Sequence, residues 1–389
     1  MQIIDGIPVF GTTDDGALTQ IKVCAQTAAR VALMADSHKG YAVPIGGVVA
    51  YKDAISPSGV GFDIACGNKA VRLDTPAPYV REHIARIMDE VFSTISFGMG
   101  RNNQEPIGEQ PIFERDYPGW DLDATRPLKR MAQNQLGTVG SGNHYVDIFT
   151  DEQDRVWVGV HFGSRGLGHK TATWFLKAAG AKDGMDVEPC VLPVESDLGE
   201  QYIRAMKLAG AYAYAGRDWV CGRLARILGG EILEEVHNHH NFAWLEQHSD
   251  EMLWVVRKGA TPAWPGQKGF VGGSMGETSV ILQGVESPLG ALTLNSTVHG
   301  AGRVMGRMEA KGKYKNGVCV REGRVTPAMM ASWLDGIELR GGGLDESPDC
   351  YKRLPDVLAE QGESIRVLHT LTPIGVAMAG ANEQDPYKD

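Results

Sequence analysis

Apolar residues recur at helical spacing in two long stretches. Over residues 81–95, Ile84, Ile87, Met88, Val91 and Phe92 share one face and predict an amphipathic helix. Residues 197–228 carry the longest such pattern, with Ser196 or Asp197 as its cap, and should form the packing spine. Alternation of period two marks strands instead, first in a short run at 20–26, then at 69–73, 156–160, 252–256, 279–283, 291–298, 318–321 and 368–376. Shorter helices are expected over 127–135, after Leu354, and after Thr326-Pro327, where a cap precedes proline. Residues 35–47 and the Gly-, Pro- and charge-rich 98–122 read as loops. Helices and strands do not alternate regularly, so the predicted class is α+β, with mixed sheets flanked by helices. No repeat or low-complexity linker divides the chain, and a single domain over 1–389 is the expectation.

Composition narrows the class of function. With 43% hydrophobic residues and a mean hydropathy of -0.20, the chain reads as soluble and globular. No apolar run approaches the roughly 20 residues of a membrane span, so no membrane partner is expected. Residues 1–6 lack the basic and then apolar order of a signal peptide, and six scattered cysteines fit a reducing compartment; the expected location is the cytoplasm. A net charge of -10 argues against gripping nucleic acid by general electrostatics, which leaves only a local basic groove for such a role. Glycine is the outlier at 49 of 389 residues, clustered around the histidines, where it lets backbone approach a ligand closely.

The chemistry concentrates around Gly61-Phe62-Asp63-Ile64-Ala65-Cys66-Gly67-Asn68, which sets a hard carboxylate and a soft sulfur three residues apart in one turn. Cys66 could bridge two ions while Asp63 holds the one that prefers oxygen. An arbitrary Asp-x-x-Cys is most often a cap and a buried structural cysteine. Histidines at His144, His161 and His240 reverse those odds, because Cys, Asp and His together suit Mn, Zn or Fe better than Mg or Ca. Within Val236-His237-Asn238-His239-His240-Asn241, His240 is favoured since Phe242-Ala243-Trp244-Leu245 would anchor it inside; His237 is the reserve. His161 ends a strand and opens a glycine-rich turn, Gly163-Ser164-Arg165-Gly166-Leu167-Gly168. This nearly spells a P-loop, but His169 separates Gly168 from Lys170. Arg165 could clamp a phosphate or simply pair with a carboxylate. The segments Gly272-Gly273-Ser274-Met275-Gly276 and Arg257-Lys258-Gly259-Ala260 look like loops built for close backbone approach. His299, before Gly300-Ala301-Gly302-Arg303, could be a nucleophile toward phosphorus or a structural strand-end residue.

Together these segments, in order over nearly the whole chain, resemble the RtcB-type RNA ligases, which join a 3′-phosphate or 2′,3′-cyclic phosphate RNA end to a 5′-hydroxyl in tRNA splicing or RNA repair. The resemblance implies two manganese ions with Cys66 bridging, Asp63 and His144 on one and His161 and His240 on the other. It implies that His299 attacks the α-phosphate of GTP to give histidine-GMP. Asn143, Asp147, Gly273, Ser274, Met275, Gly300, Gly302 and Tyr351 match nucleotide-contacting positions, and Arg165 a contact for RNA phosphate. An archease-like activator is among the partners that the resemblance admits. Two departures stand out: family members commonly carry a tail lysine, absent at Ala377, Met378 and Ala379, and Asp147 stands where a glutamate contacts the base. The missing lysine keeps an alternative open, a metal-dependent RNA 2′,3′-cyclic phosphodiesterase or an altered nucleotidyltransferase without ligation. A non-catalytic binder of RNA ends is disfavoured by the intact ligand residues.

Overall fold

The computed structural model describes residues 1–315, 318–381 and 383. Two sheets carry most of the strands, and their junction positions the site. The larger sheet runs Ile232–His239, Gly67–Pro76, Arg155–His161, Tyr145–Asp151, Ile365–Gly380, Ser279–Gly284 and Lys268–Val271, with Glu338–Gly342 pairing parallel to Ile365–Gly380. It is nearly closed. Phe270 on one edge strand donates its N–H to the Asn238 side chain (3.2 Å) on the other and accepts from Asn68 (2.9 Å). The second sheet runs Gln2–Ile4, Ile7–Val9, Arg30–His38, Ile45–Tyr51, Glu251–Lys258 and Asn241–His248. The chain passes from one sheet to the other at a single residue, His240, between Ile232–His239 and Asn241–His248. This mixture of sheets and helices is the α+β architecture that the pattern predicts.

The helix Asp197–Leu228 forms over the stretch with the longest apolar periodicity. Ser196 caps it by accepting from Gly199 N (3.1 Å), and Gly229 ends it at φ 70°, a left-handed turn that glycine enters without steric penalty. Its buried face, including Tyr202, Ala209, Ala213, Val220 and Leu224, lies against both sheets and shares in two core clusters. The predicted 81–95 helix is present as Ala77–Glu82 and Ile84–Thr94, broken at His83.

Four local expectations fail. The run at 20–26 is not a strand: Asp15–Cys24 is a helix, capped by Asp14 accepting from Ala17 N (2.8 Å), and Ala17, Gln20, Ile21 and Cys24 are its buried face. Ile21 and Val23 alternate within a window too short to reveal that spacing. The strand expected over 291–298 begins only at Ser296, because Ser287 caps a short helix Pro288–Leu292, and Leu294 and Asn295 turn the chain at φ 54° and 49°. Residues 35–38 and 45–47 of the expected loop belong to the strands Arg30–His38 and Ile45–Tyr51. The glycine-rich turn after His161 is mostly helix, Arg165–Ala178.

Candidate functional site

The turn that carries Asp63 and Cys66 follows the short helix Pro57–Val60. Cys66 N donates to Asp63 O (3.0 Å), and Ala65 takes φ 63°, so both side chains face the same side of the turn. His240 N donates in turn to Cys66 O (2.8 Å), which seats the junction between sheets on this turn. Cys66 Sγ lies 3.3 Å from His161 Nε2 and 3.5 Å from His144 Nε2, and His144 Nε2 lies 3.1 Å from Asp63 Oδ2. Two ligand triads result: Cys66, His161 and His240 form one, Asp63, Cys66 and His144 the other, with the ligand atoms of each within 4.8 Å of one another. Cys66 belongs to both.

The neighbouring histidines take a different part. His237 Nε2 and His239 Nδ1 lie 2.8 and 2.9 Å from the guanidinium of Arg217, which also donates to Ala65 O and Phe162 O. Arg217 is fully buried on the spine helix and fastens the turn and the end of the His161 strand from beneath. Glycine permits the closeness at Gly163, where a Cβ would come within 2.2 Å of Asp63 Oδ1.

Electrostatics suits this cluster to a cation. Burial opposes charge on Asp63, yet the hydrogen bond and charge of His144, with Arg165 beside it, hold its carboxyl below the usual range. Burial keeps His161 and His240 neutral by pushing both well below the ordinary imidazole range, and neutral imidazole is the form that ligates. His240 Nδ1 is buried without a hydrogen-bond partner among the described residues, a cost that a bound ion would remove. One sulfur, three imidazoles and one carboxylate form a donor set that fits a first-row transition metal such as manganese or zinc.

His299 stands at the other end of a row of rings. Its ring centroid is 4.9 Å from that of His240, which is 5.0 Å from His161, which is 5.5 Å from His144. Asp36, fully buried, receives His299 Nδ1 at 2.6 Å and also accepts from the backbone N–H of His299 (2.9 Å) and Gly300 (3.2 Å). A proton on Nδ1, as this contact implies, leaves Nε2 with its lone pair. Gly259, at φ 61°, passes close beneath: a Cβ there would lie 3.0 Å from His299 Cε1.

One cavity contains both triads and His299, and it also receives Asn143, Asp147, Gly273, Ser274, Met275, Gly300, Gly302 and Tyr351. Every residue expected at the nucleotide therefore lines one space. Tyr351 donates to Glu346, which also pairs with Arg303 and Arg307. Arg165 lines a second cavity that shares Asp63, Asn143, His144 and Arg307 with the first. It donates to Thr138 Oγ1 (3.3 Å) and Gly98 O (3.0 Å).

Arg257 and Lys258 are not loop residues. They end the strand Glu251–Lys258, and Arg257 is fully buried in a two-pronged pair with Glu246 (2.7 and 3.0 Å), so only Gly259 makes the expected close approach. Sequence reading missed Asp36, His38, Asn68 and Tyr145, all of which line the cavity or bind His299. The available signal was a carboxylate at the end of an apolar run, Leu33-Met34-Ala35-Asp36.

Fold and site together define a class: an α+β protein in which one cysteine sulfur is common to two metal-ligand triads beside a carboxylate-held histidine. The chain belongs to the RtcB family, since the family described as tRNA-splicing ligase RtcB matches residues 18–116 and 118–379. Its relatives include the RNA-splicing ligase RtcB of Escherichia coli (strain K12), 30% identical with 88% of each chain covered. The tRNA-splicing ligase RtcB of Thermococcus kodakarensis is also 30% identical, over 89% of this chain and 86% of its own. That of Nanoarchaeum equitans is 30% identical over 87% and 84%.

Proposed function

We propose that the protein is an RNA ligase that joins a 3′-phosphate or 2′,3′-cyclic phosphate end to a 5′-hydroxyl end, using GTP and manganese. The observation that carries this reading is the Asp36-held imidazole of His299 in the same cavity as the two triads that share Cys66. Family membership and relatives named as RNA-splicing and tRNA-splicing ligases support it.

In this reading Asp36 keeps the proton on Nδ1, and His299 Nε2 attacks the α-phosphorus of GTP. A P–N bond forms and pyrophosphate leaves. A 2′,3′-cyclic end is first opened by water, which breaks the P–O2′ bond and leaves a 3′-phosphate; an oxygen of the RNA 3′-phosphate then takes the GMP group, which breaks the P–N bond. The 5′-hydroxyl finally attacks the activated 3′-phosphate, and GMP departs. Manganese held by Asp63, Cys66, His144, His161 and His240 would offset the phosphate charge. Asn143, Asp147, Gly273, Ser274, Met275, Gly300, Gly302 and Tyr351 would hold the nucleotide, and Arg165 in the adjoining cavity would hold an RNA phosphate.

The absent tail lysine favours a second reading. Val376 and Met378 bring apolar side chains to the cavity from the tail strand, and a protein unable to take up GMP could still open a cyclic phosphate. Incubation with manganese and α-labelled GTP separates the two. An acid-labile adduct on the wild type that is absent from His299→Ala is expected; no adduct from a metal-loaded protein would move the phosphodiesterase reading to first place.

A further inference from the structure

Three segments are tied together behind one wall of the main cavity. Ser274, buried and lining that cavity, donates its hydroxyl to Glu277 Oε2 at 2.6 Å. Glu277 N donates back to Ser274 O (2.9 Å), which closes a tight turn. The other carboxylate oxygen, Glu277 Oε1, lies 3.1 Å from the guanidinium of Arg353, and the Glu277 side chain is only 8% exposed. Arg353 in turn stands over the ring of Trp333, 4.0 Å from its centroid. Trp333 Nε1 donates to Asp349 Oδ2 (3.2 Å), which also receives the Ser347 hydroxyl (2.8 Å). Gly276 permits the approach, since a Cβ there would lie 2.7 Å from Trp333 O.

This network fixes the direction of one hydroxyl. Serine has one proton to give and two lone pairs to offer, whereas a carboxylate in an ion pair only accepts. The 2.6 Å contact therefore commits the Ser274 proton to Glu277, whose second oxygen is taken by Arg353. What Ser274 Oγ has left for the cavity is its lone pairs. An acceptor at that point attracts an N–H or O–H and repels phosphate oxygens. The ion pair by itself would only staple the turn; its bond to a serine inside the cavity gives it a bearing on the ligand.

We propose that Glu277, anchored by Arg353, is a positioning residue that makes Ser274 a fixed hydrogen-bond acceptor, so that Ser274 binds an N–H or O–H donor of the nucleoside and not its phosphates. This rests on the nucleotide-dependent reading given above. An isosteric substitution reverses the arrangement. In Glu277→Gln the amide oxygen stays with Arg353, while the amide N–H turns to Ser274 Oγ and donates to it. Ser274 must then point its own proton into the cavity, where it meets the nucleoside's donor.

The test is equilibrium binding to manganese-loaded, full-length protein carrying His299→Ala, a background chosen so that no adduct forms. In it, Glu277→Gln is expected to weaken GTP binding by about tenfold, the loss of one hydrogen bond, and to leave the affinity for inorganic tripolyphosphate and the melting temperature unchanged. Ser274→Ala should weaken GTP binding to a similar extent. Adding Glu277→Gln to it should cost nothing more, because Glu277 acts through Ser274. GTP analogues that each lack one donor, at the 2′-hydroxyl, the 3′-hydroxyl, the base N1–H or the exocyclic amine, locate the partner: one of them should bind equally well with and without Glu277→Gln. Unchanged GTP affinity in a folded Glu277→Gln protein, an undiminished effect on all four analogues, or a loss of tripolyphosphate affinity in either single variant overturns the proposal alone. Should Glu277→Gln fail to fold, unchanged GTP affinity in Ser274→Ala overturns it equally. Failure of GTP to bind both the background protein and the unsubstituted one overturns the nucleotide-dependent reading with it.

Discussion

At the scale of single residues, the site depends on which nitrogen of each ring is engaged. Asp36 takes the Nδ1 side of His299, whereas His144 and His161 turn Nε2 toward Cys66. Replacing Asp36 with Ala should slow formation of the labelled nucleotide adduct by about 10- to 100-fold, as loss of an orienting partner does elsewhere. Bound metal should stay unchanged in that variant, and equal loss of metal would show that Asp36 acts on the fold instead. His299→Ala should abolish the adduct outright. The candidate ligands were legible as residue types in glycine-bracketed segments. Asp36 was not, because a lone carboxylate in a strand looks the same whether it faces a histidine or water.

Elements decide how close those residues come. The strand Arg155–His161 ends in the site, and the helix Arg165–Ala178 starts after three intervening residues, so Gly163 lies in a tight passage. A Cβ at Gly163 would meet Asp63 Oδ1 at 2.2 Å. Gly163→Ala should therefore displace the Asp63 carboxylate and lower the metal bound per chain, read by elemental analysis of the purified protein; wild-type stoichiometry would contradict the assigned ligand geometry. Long periodic elements such as Asp197–Leu228 could be read from sequence because many residues vote on one face. Short ones such as Asp15–Cys24 and Pro288–Leu292 could not, since a capping side chain and a few buried positions outweigh a brief alternation.

For the whole molecule, the cluster joins two sheets and the spine helix, so a bound ion should stabilise the fold. Manganese is expected to raise the melting temperature by several degrees and a chelator to reverse it, through preferential binding to the native state. Cys66→Ala should remove most of that shift, because Cys66 serves both triads. Acid should act in the opposite direction. Burial pushes His38 down to about 4 from an ordinary value of 6.5, and His237 and His239 are also lowered by burial, next to the Arg217 charge. These rings bind protons more readily in the unfolded chain. Their stabilisation is complete above about pH 6.5 and is lost as pH falls toward 4, so melting temperature should decline over that window. A flat profile there would show that the rings are not buried neutral. Among the described residues no helix is long and apolar enough to cross a membrane.

The sequence by itself determined the class of fold, the spine helix, the donor types of the metal cluster and the family, because periodicity, residue chemistry and ordered motifs are properties of the chain. Tertiary structure decided which histidines gather around Cys66. The apolar run after it favours His240 over His237, but the cause lies in the fold: Arg217 engages His237 and His239, while the passage between sheets leaves His240 facing His161 and His299. It also decided that Asp147 Oδ1 has no hydrogen-bond partner among the described residues. A carboxyl's charge depends on its neighbours across strands, and those neighbours are set by register rather than by sequence order.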